Sequence, residues 1–334
     1  MLSIHDAPAV ETEFRRAAVD PHLLRRFRIA FFKKSEPAAD ALAIVPAPAR
    51  AALGGVIDFH ALALEHELDS GVDGATKLVF RMRSGLRLES VILRIATGRT
   101  ALCVSSQVGC AASCAFCATG HMGIAQNLSA AEILDQIVQA NLILAREGRR
   151  ARNIVFMGMG EPFHNEEAVI EAVDRLVAPE IFAHPQSRIL ISTVGIADAM
   201  VRTAERFPRV GLALSLHAAR QEVRERIVPL ARKIPVEALR EAVMTLNAIQ
   251  SRPVMVECVL FDGVNDAPED VAALIDWCAG LDVHVNLIPY NPIDDAPHLG
   301  PVAAERQREI SEELKRAGLV VTTRYSLGQD IEAA

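Results

Sequence analysis

Three cysteines stand within one short stretch, Cys110-Ala-Ala-Ser-Cys114-Ala-Phe-Cys117. Thiolates at this spacing can converge on one metal centre. A closed structural zinc site needs a fourth ligand at matching spacing, and the sequence has no second Cys-x-x-Cys or histidine pair to supply it. Cys258 and Cys278 sit in apolar surroundings and read as buried core cysteines. Three thiolates on a four-iron cluster leave one iron open, and an open iron can bind a substrate.

The elements that must hold this loop follow from periodicity. From residue 100 onward, apolar strand-like runs alternate with helix-like runs. Strands are expected at Ala101–Ser106, Asn153–Gly158, Arg188–Thr193, Val210–His217, Pro253–Leu260 and Val283–Tyr290, with a last one at Val320–Ser326. Helices are expected over Ser129–Glu147, Pro235–Gln250 and Ala303–Ala317, the first opened by the capping-box spacing of Ser129 and Glu132. Strands joined by crossover helices imply a parallel sheet. The fold class expected is α/β, a TIM-like partial (βα)6 barrel, with its chemistry at the C-terminal strand ends. Residues 100–334 would form this core. Residues 56–99 would form a β-hairpin lead-in, with the alternating runs 76–83 and 87–94 on either side of Ser84-Gly85. Residues 1–55 would form a small helical region, with a helix over Pro21–Phe32 and a looser Ala- and Pro-rich stretch at Ala38–Arg50.

Composition sets the class. Of 334 residues, 51% are hydrophobic and only 4% aromatic, enough for a full and mainly aliphatic core. The net charge of −7 argues against a surface that is basic throughout. A local basic face is compatible with it, and two arginine groups are candidates: Arg15, Arg16, Arg25, Arg26 and Arg28, and Arg146, Arg149, Arg150 and Arg152. Each is equally readable as solvated helix ends. No secretory signal and no membrane-length apolar run occur, so a cytoplasmic protein with reduced cysteines is expected.

The x3–x2 cysteine spacing resembles that of the radical S-adenosylmethionine superfamily. Longer stretches narrow it: CVSSQVGCAASCAFCATGHMGIAQNL at 103–128, NIVFMGMGEP at 153–162, ISTVGI at 191–196, ALSLHA at 213–218, DGVND at 262–266 and VNLIPYNP at 285–292. Together these resemble the RlmN/Cfr family of RNA adenine methyltransferases, from about residue 55 to the C-terminus.

The resemblance implies a [4Fe–4S] cluster on Cys110, Cys114 and Cys117. It implies S-adenosylmethionine held by Gly160, Glu161, Ser192, Ser215, Leu216, His217 and Asn291. It implies Glu89 as the base that takes the ring proton of an adenine. Cys103 would be the second catalytic cysteine, closing a disulfide with a methyl-carrying cysteine to release product. The expected substrate is an adenine, at C2 by default and C8 as the variant, in 23S ribosomal RNA or a tRNA. Such a base must be splayed out of its strand. A flavodoxin or ferredoxin would supply electrons, and the protein would act as a monomer. In the family the carrier cysteine follows a terminal motif that here reads SLGQDIEAA at 326–334, so the carrier position would follow Ala334. A radical enzyme without a methyl carrier, acting on another substrate, is the competing expectation.

Overall fold

The computed structural model describes residues 1–95, 97–324 and 327–332. Ser326 and Ala333-Ala334 of the terminal motif, and the end of the expected strand Val320–Ser326, lie outside the described residues.

One sheet organises the molecule. In chain order its strands are β1 (Ala63–Asp69), β2 (Ala75–Arg81), β3 (Arg87–Arg94), β4 (Thr100–Cys103), β5 (Asn153–Phe156), β6 (Ile189–Thr193), β7 (Gly211–Ser215), β8 (Val254–Leu260), β9 (Val283–Pro289) and β10 (Val320–Thr323). Their spatial order is simply β10 to β1, and the two ends do not pair. Strands β4 to β10 run parallel. Between them lie α1 (Ala130–Ala145), α2 (Glu166–Val177), α3 (Ala197–Arg206), α4 (Val236–Ile249), α5 (Pro268–Cys278) and α6 (Ala304–Arg316). This is the expected open barrel, with each parallel strand one to three residues shorter than its apolar run.

Parallel strands buried on both faces read as unbroken apolar runs, as in β7 and β8. The capping box on α1 forms as expected: Ser129 N donates to Glu132 Oε2 at 2.8 Å, and Glu132 N donates to Ser129 Oγ at 3.3 Å. From α1, Gln136 reaches the sheet, accepting from Ser90 Oγ at 2.6 Å and from Ser105 N at 2.8 Å. That bridge fixes β3 against the loop after β4.

The hairpin of β2 and β3 forms, but it is the antiparallel flank of the same sheet, with β3 paired to β4. Strand β1, which the sequence reading leaves out, is the exposed edge. Its sequence ALEHELD carries three acids and a histidine in seven residues, which hides the alternation but protects an open edge.

The N-terminal region is helical, as expected, with helices at Ala7–Arg16 and Pro21–Arg28, the latter running into a π-turn at Ile29–Lys33. The loose stretch expected at Ala38–Arg50 is a correction: it holds helices Ala38–Leu42 and Ala47–Val56. Pro37, Pro46 and Pro48 sit at caps or first turns, where a missing N–H breaks no helical bond. The core here is aromatic: Phe14 and Phe27 lie 5.2 Å apart, Phe31 and Phe59 5.7 Å, and Phe32 meets Phe182 of the barrel at 4.9 Å.

The arginine groups are largely engaged. Arg15 and Arg16 pair with Glu11 and Glu13, and Arg146 with Glu67. Arg150 ties the two regions together, donating to Lys33 O at 3.0 Å and Phe32 O at 3.1 Å. Among the described residues no helix is long and apolar enough to cross a membrane.

Candidate active site

The cysteine loop hangs from β4. Short strands Gln107–Gly109 and Ile124–Asn127 pair antiparallel and close its neck. Gly109 is obligatory there: its φ is +77°, and a Cβ would stand 1.7 Å from the Gly123 carbonyl oxygen. Cys110 N donates to that same carbonyl at 2.9 Å, and Ala115 N donates to Ile227 O at 2.9 Å, anchoring the loop to the helix Gln221–Ile227. Cys110 and Cys114 are buried and Cys117 half-buried, all with free thiols.

Burial pushes the Cys110 thiol up to about 11 and raises Cys114 further, each with a contribution from the neighbouring cysteines. Without metal these are neutral thiols, and loading a metal would release their protons. Among the described residues no three such ligands gather around a point suited to a single ion. The three cysteines are nonetheless close enough to feel one another's charge. An iron–sulfur cluster takes one thiolate per iron, so it needs neighbouring thiolates rather than one shared focus. The donor set fits a cluster better than zinc.

Behind the loop lies the second expected group. Gly160 has φ +100°, and a Cβ would stand 2.5 Å from Gln107 Cβ. Gln107 Oε1 accepts from Glu161 N at 2.8 Å. The Glu161 carboxylate accepts from Val194 N at 2.8 Å and Phe163 N at 3.0 Å. Burial raises its pKa to about 6, opposed by those N–H donors and the Thr193 hydroxyl. Leu216 is fully buried, and its carbonyl accepts from Ala218 N at 2.8 Å and Arg224 Nε at 3.0 Å. His217 has φ +60° and accepts from Val259 N through Nδ1 at 3.2 Å. Burial, with the Arg224 charge nearby, depresses its pKa to about 3, so it is a neutral, satisfied histidine.

Ser192 and Ser215 meet on adjacent strand ends, their Oγ atoms 3.1 Å apart. Between them stands a residue the sequence reading missed. Glu257, on β8, accepts from Ser192 Oγ at 2.7 Å and Ser215 Oγ at 3.4 Å through Oε2. It is 4% exposed, and its Oε1 has no partner among the described residues. A single acid within the apolar run VMVECVL was the available signal.

The third group shares a cavity of about 370 Å³, lined among others by Glu89, Cys103, Cys117 and Asn291. The register explains the meeting: Cys103 pairs with Val91, and Glu89 lies two residues further along β3 on the same face. Two further missed residues attend them. Lys77 Nζ, nearly buried on β2, lies 3.6 Å from Glu89 Oε1. The Arg324 cation lies near Cys103, and its charge opposes the upward pull of burial on that thiol. The terminal segment reaches the same cavity through Leu327 and Glu332. Asp330 fastens it, accepting from Ser70 Oγ at 2.7 Å and Gly71 N at 2.8 Å. Gln329 donates to Asn291 Oδ1 at 2.7 Å. Glu161, Ser192, Ser215 and His217 do not line this cavity; they lie at the buried strand ends beside it.

Comparison with known proteins bears on the family and the fold. The model of the Radical SAM superfamily matches residues 104–278. A probable RNA methyltransferase of Rhodopirellula baltica is 50% identical over 334 residues, covering 100% of this chain and 86% of that protein. A probable dual-specificity RNA methyltransferase RlmN of Thermus thermophilus is 41% identical over 262 residues, covering 78% of this chain and 73% of that protein. The crystal structure of a radical SAM methyltransferase from Sphaerobacter thermophilus superposes with a TM-score of 0.93 at 36% identity, covering 100% of this chain and 98% of that one. Membership of the superfamily brings with it a [4Fe–4S] cluster and S-adenosylmethionine, which the cysteine loop and the strand-end polar residues are suited to hold. The chain belongs to the radical SAM superfamily and, within it, to the RlmN-like RNA methyltransferases.

Proposed function

We propose that the protein methylates C2 of an unstacked adenine in RNA, with 23S ribosomal RNA as the first substrate to test and tRNA as the second. The observation that carries this reading is the shared cavity, where an acid (Glu89), a thiol (Cys103) and a cluster ligand (Cys117) face one space. Adenine C2 is too poor a nucleophile to take a methyl group directly, so the reaction requires radical chemistry. When bound, the cluster and S-adenosylmethionine supply that chemistry.

The chain's own residues do the rest. Glu89 accepts the C2 proton, its carboxylate steadied by Lys77. Cys103, beside the Arg324 cation, attacks the sulfur of a methyl-carrying cysteine. An S–S bond forms as the C–S bond breaks, and the electron pair passes to the product carbon, which takes up a proton. The carrier in this reading follows the terminal motif, and Leu327 and Glu332 bring that segment to the cavity. The cavity admits a splayed base but not one within a duplex. A low-potential flavodoxin or ferredoxin delivers electrons, in the cytoplasm, to a monomeric enzyme.

The test is anaerobic reconstitution followed by incubation with reductant, methyl-labelled S-adenosylmethionine and unmodified 23S RNA fragments. Nucleoside mass spectrometry is read beside 5′-deoxyadenosine release. The chain is assayed ending at Ala334 and with a cysteine added after it. 2-Methyladenosine from the extended chain alone supports the carrier route. Product from the chain ending at Ala334 overturns the carrier. 5′-Deoxyadenosine without labelled RNA from either overturns the substrate.

A further inference from the structure

One buried charge has no counter-charge among the described residues. Arg224, on the helix Gln221–Ile227, is 0% exposed. Its Nε donates to Leu216 O at 3.0 Å, and its Nη2 donates to Val194 O at 2.6 Å and Ser215 O at 3.5 Å. These acceptors are backbone carbonyls, which orient a guanidinium without neutralising it. Nη1 is buried and has no partner among the described residues. Burial lowers the Arg224 pKa to about 10, which still leaves it cationic at neutral pH. A buried ion without an opposite charge is costly, and folds avoid it unless a ligand supplies the missing charge.

The place where that charge is missing can be read from the neighbours. Val223 and Ile227, on either side of Arg224 in its helix, pack in one apolar cluster with Cys110 and Cys114. Ile227 O accepts from Ala115 N at 2.9 Å, inside the cysteine loop. A four-iron cluster on three thiolates is a net anion, and reduction makes it more negative.

We propose that Arg224 is the counter-cation of the iron–sulfur cluster, a positioning residue that favours cluster loading and favours the reduced over the oxidised state. The proposal rests on the cluster assigned above to Cys110, Cys114 and Cys117. Three carbonyls at the ends of β6 and β7 hold the guanidinium, so the strand ends expected to bind S-adenosylmethionine also fix the cation.

The experiment is an EPR-monitored redox titration of the reconstituted protein without S-adenosylmethionine. It compares wild type, Arg224→Gln and Arg224→Lys, with iron content and circular dichroism as checks on loading and folding. At a fixed solution potential, the reduced-to-oxidised ratio falls about tenfold in Arg224→Gln, equivalent to about 59 mV for a one-electron couple. Arg224→Lys, which keeps the charge and loses the fork, stays within about threefold of wild type on the same scale. An unchanged ratio in Arg224→Gln overturns the proposal and leaves Arg224 a brace for the strand ends. An unchanged ratio with weakened S-adenosylmethionine binding also overturns it, because the cofactor carboxylate is then the missing anion. If Arg224→Gln folds but takes up no iron, loading by Arg224→Lys supports the charge. Failure of both overturns the proposal, since shape rather than charge is then what matters. A wild-type protein that itself takes up no cluster refutes the cluster assignment, an outcome distinct from all of these.

Discussion

The two flanks of the sheet handle charge in opposite ways. On the parallel side, Glu161, Glu257, Arg224 and His217 are at most 5% exposed and held by strand-end neighbours. On the antiparallel side, Glu89 has a side chain 41% exposed, with Lys77 the partner at 3.6 Å. A buried polar group is satisfied once, at folding, and then stays fixed. A half-open one can meet a group that arrives and leaves. In the function proposed above, the parallel flank would hold the cofactors in dry surroundings, and the antiparallel flank would meet a substrate that must enter and depart. Cys103 and Val91, paired across β4 and β3, mark the seam between the two.

The comparison can be broken by mutation. The largest effect is expected from Cys114→Ser, which removes a buried thiolate of the cluster loop. Bound iron and methylated product should both vanish while circular dichroism stays native, and retention of the full iron complement would remove the cofactor from this flank. Glu89→Gln should lower methylation about 10²- to 10⁴-fold, the usual worth of a positioned general base. Its cluster content, 5′-deoxyadenosine release and urea midpoint should stay near wild type; a large stability loss would put Glu89 on the structural side of the seam.

Ser192→Ala tests the opposite flank. It leaves the buried Glu257 with Ser215 as its one remaining hydroxyl partner, a change worth about 1–3 kcal/mol of folding stability by urea denaturation. No loss would mean that this carboxyl is not held as tightly as its burial implies.

The pH dependence of stability should also come from the buried flank. His217 titrates at about 3 in the fold against an ordinary 6.5. The unfolded chain therefore binds the extra proton, and the stability His217 contributes is complete above about pH 6.5 and lost as pH falls toward about 3. The slope is about 1.4 kcal/mol per pH unit. Glu161 acts the other way. Its raised pKa means the fold holds a proton that the unfolded chain gives up, so stability falls as pH rises from 4.5 to about 6. His217→Gln should flatten the acid limb of a urea-midpoint profile, and an unchanged profile would show the imidazole to be solvated.

The smallest effect is expected at Lys77→Met, where a half-exposed ion pair is worth about 0.2–1 kcal/mol. Methylation should drop about two- to fivefold. A loss as deep as that of Glu89→Gln would mean that the antiparallel flank is organised as tightly as the parallel one.

Much of the architecture was legible in the sequence, because it is written in local pattern. The apolar runs that became β4 to β10 alternate with amphipathic stretches, and Ser129 with Glu132 marks a helix start through bonds that span three residues. The cysteine triad is also local: its spacing alone limits what it can hold. Resemblance then supplied Glu89, Cys103 and the strand-end residues, and the fold sets Glu89 and Cys103 on one face of adjoining strands. Strand β1 and the helices within Ala38–Arg50 escaped the reading. A charged edge strand lacks an apolar face, and proline-led short helices look like loops.

Tertiary structure alone decided which charges meet at the candidate site. In the sequence, Lys77, Arg224, Glu257 and Arg324 are four charges among many. Glu257 becomes distinctive only when β6 and β7 bring Ser192 and Ser215 to it, and Arg324 only when the chain returns past Cys103. Arg224 becomes an unbalanced cation only when the barrel buries it with no acid beside it among the described residues. Burial and partnership are properties of contacts between distant segments, and a linear pattern cannot carry them.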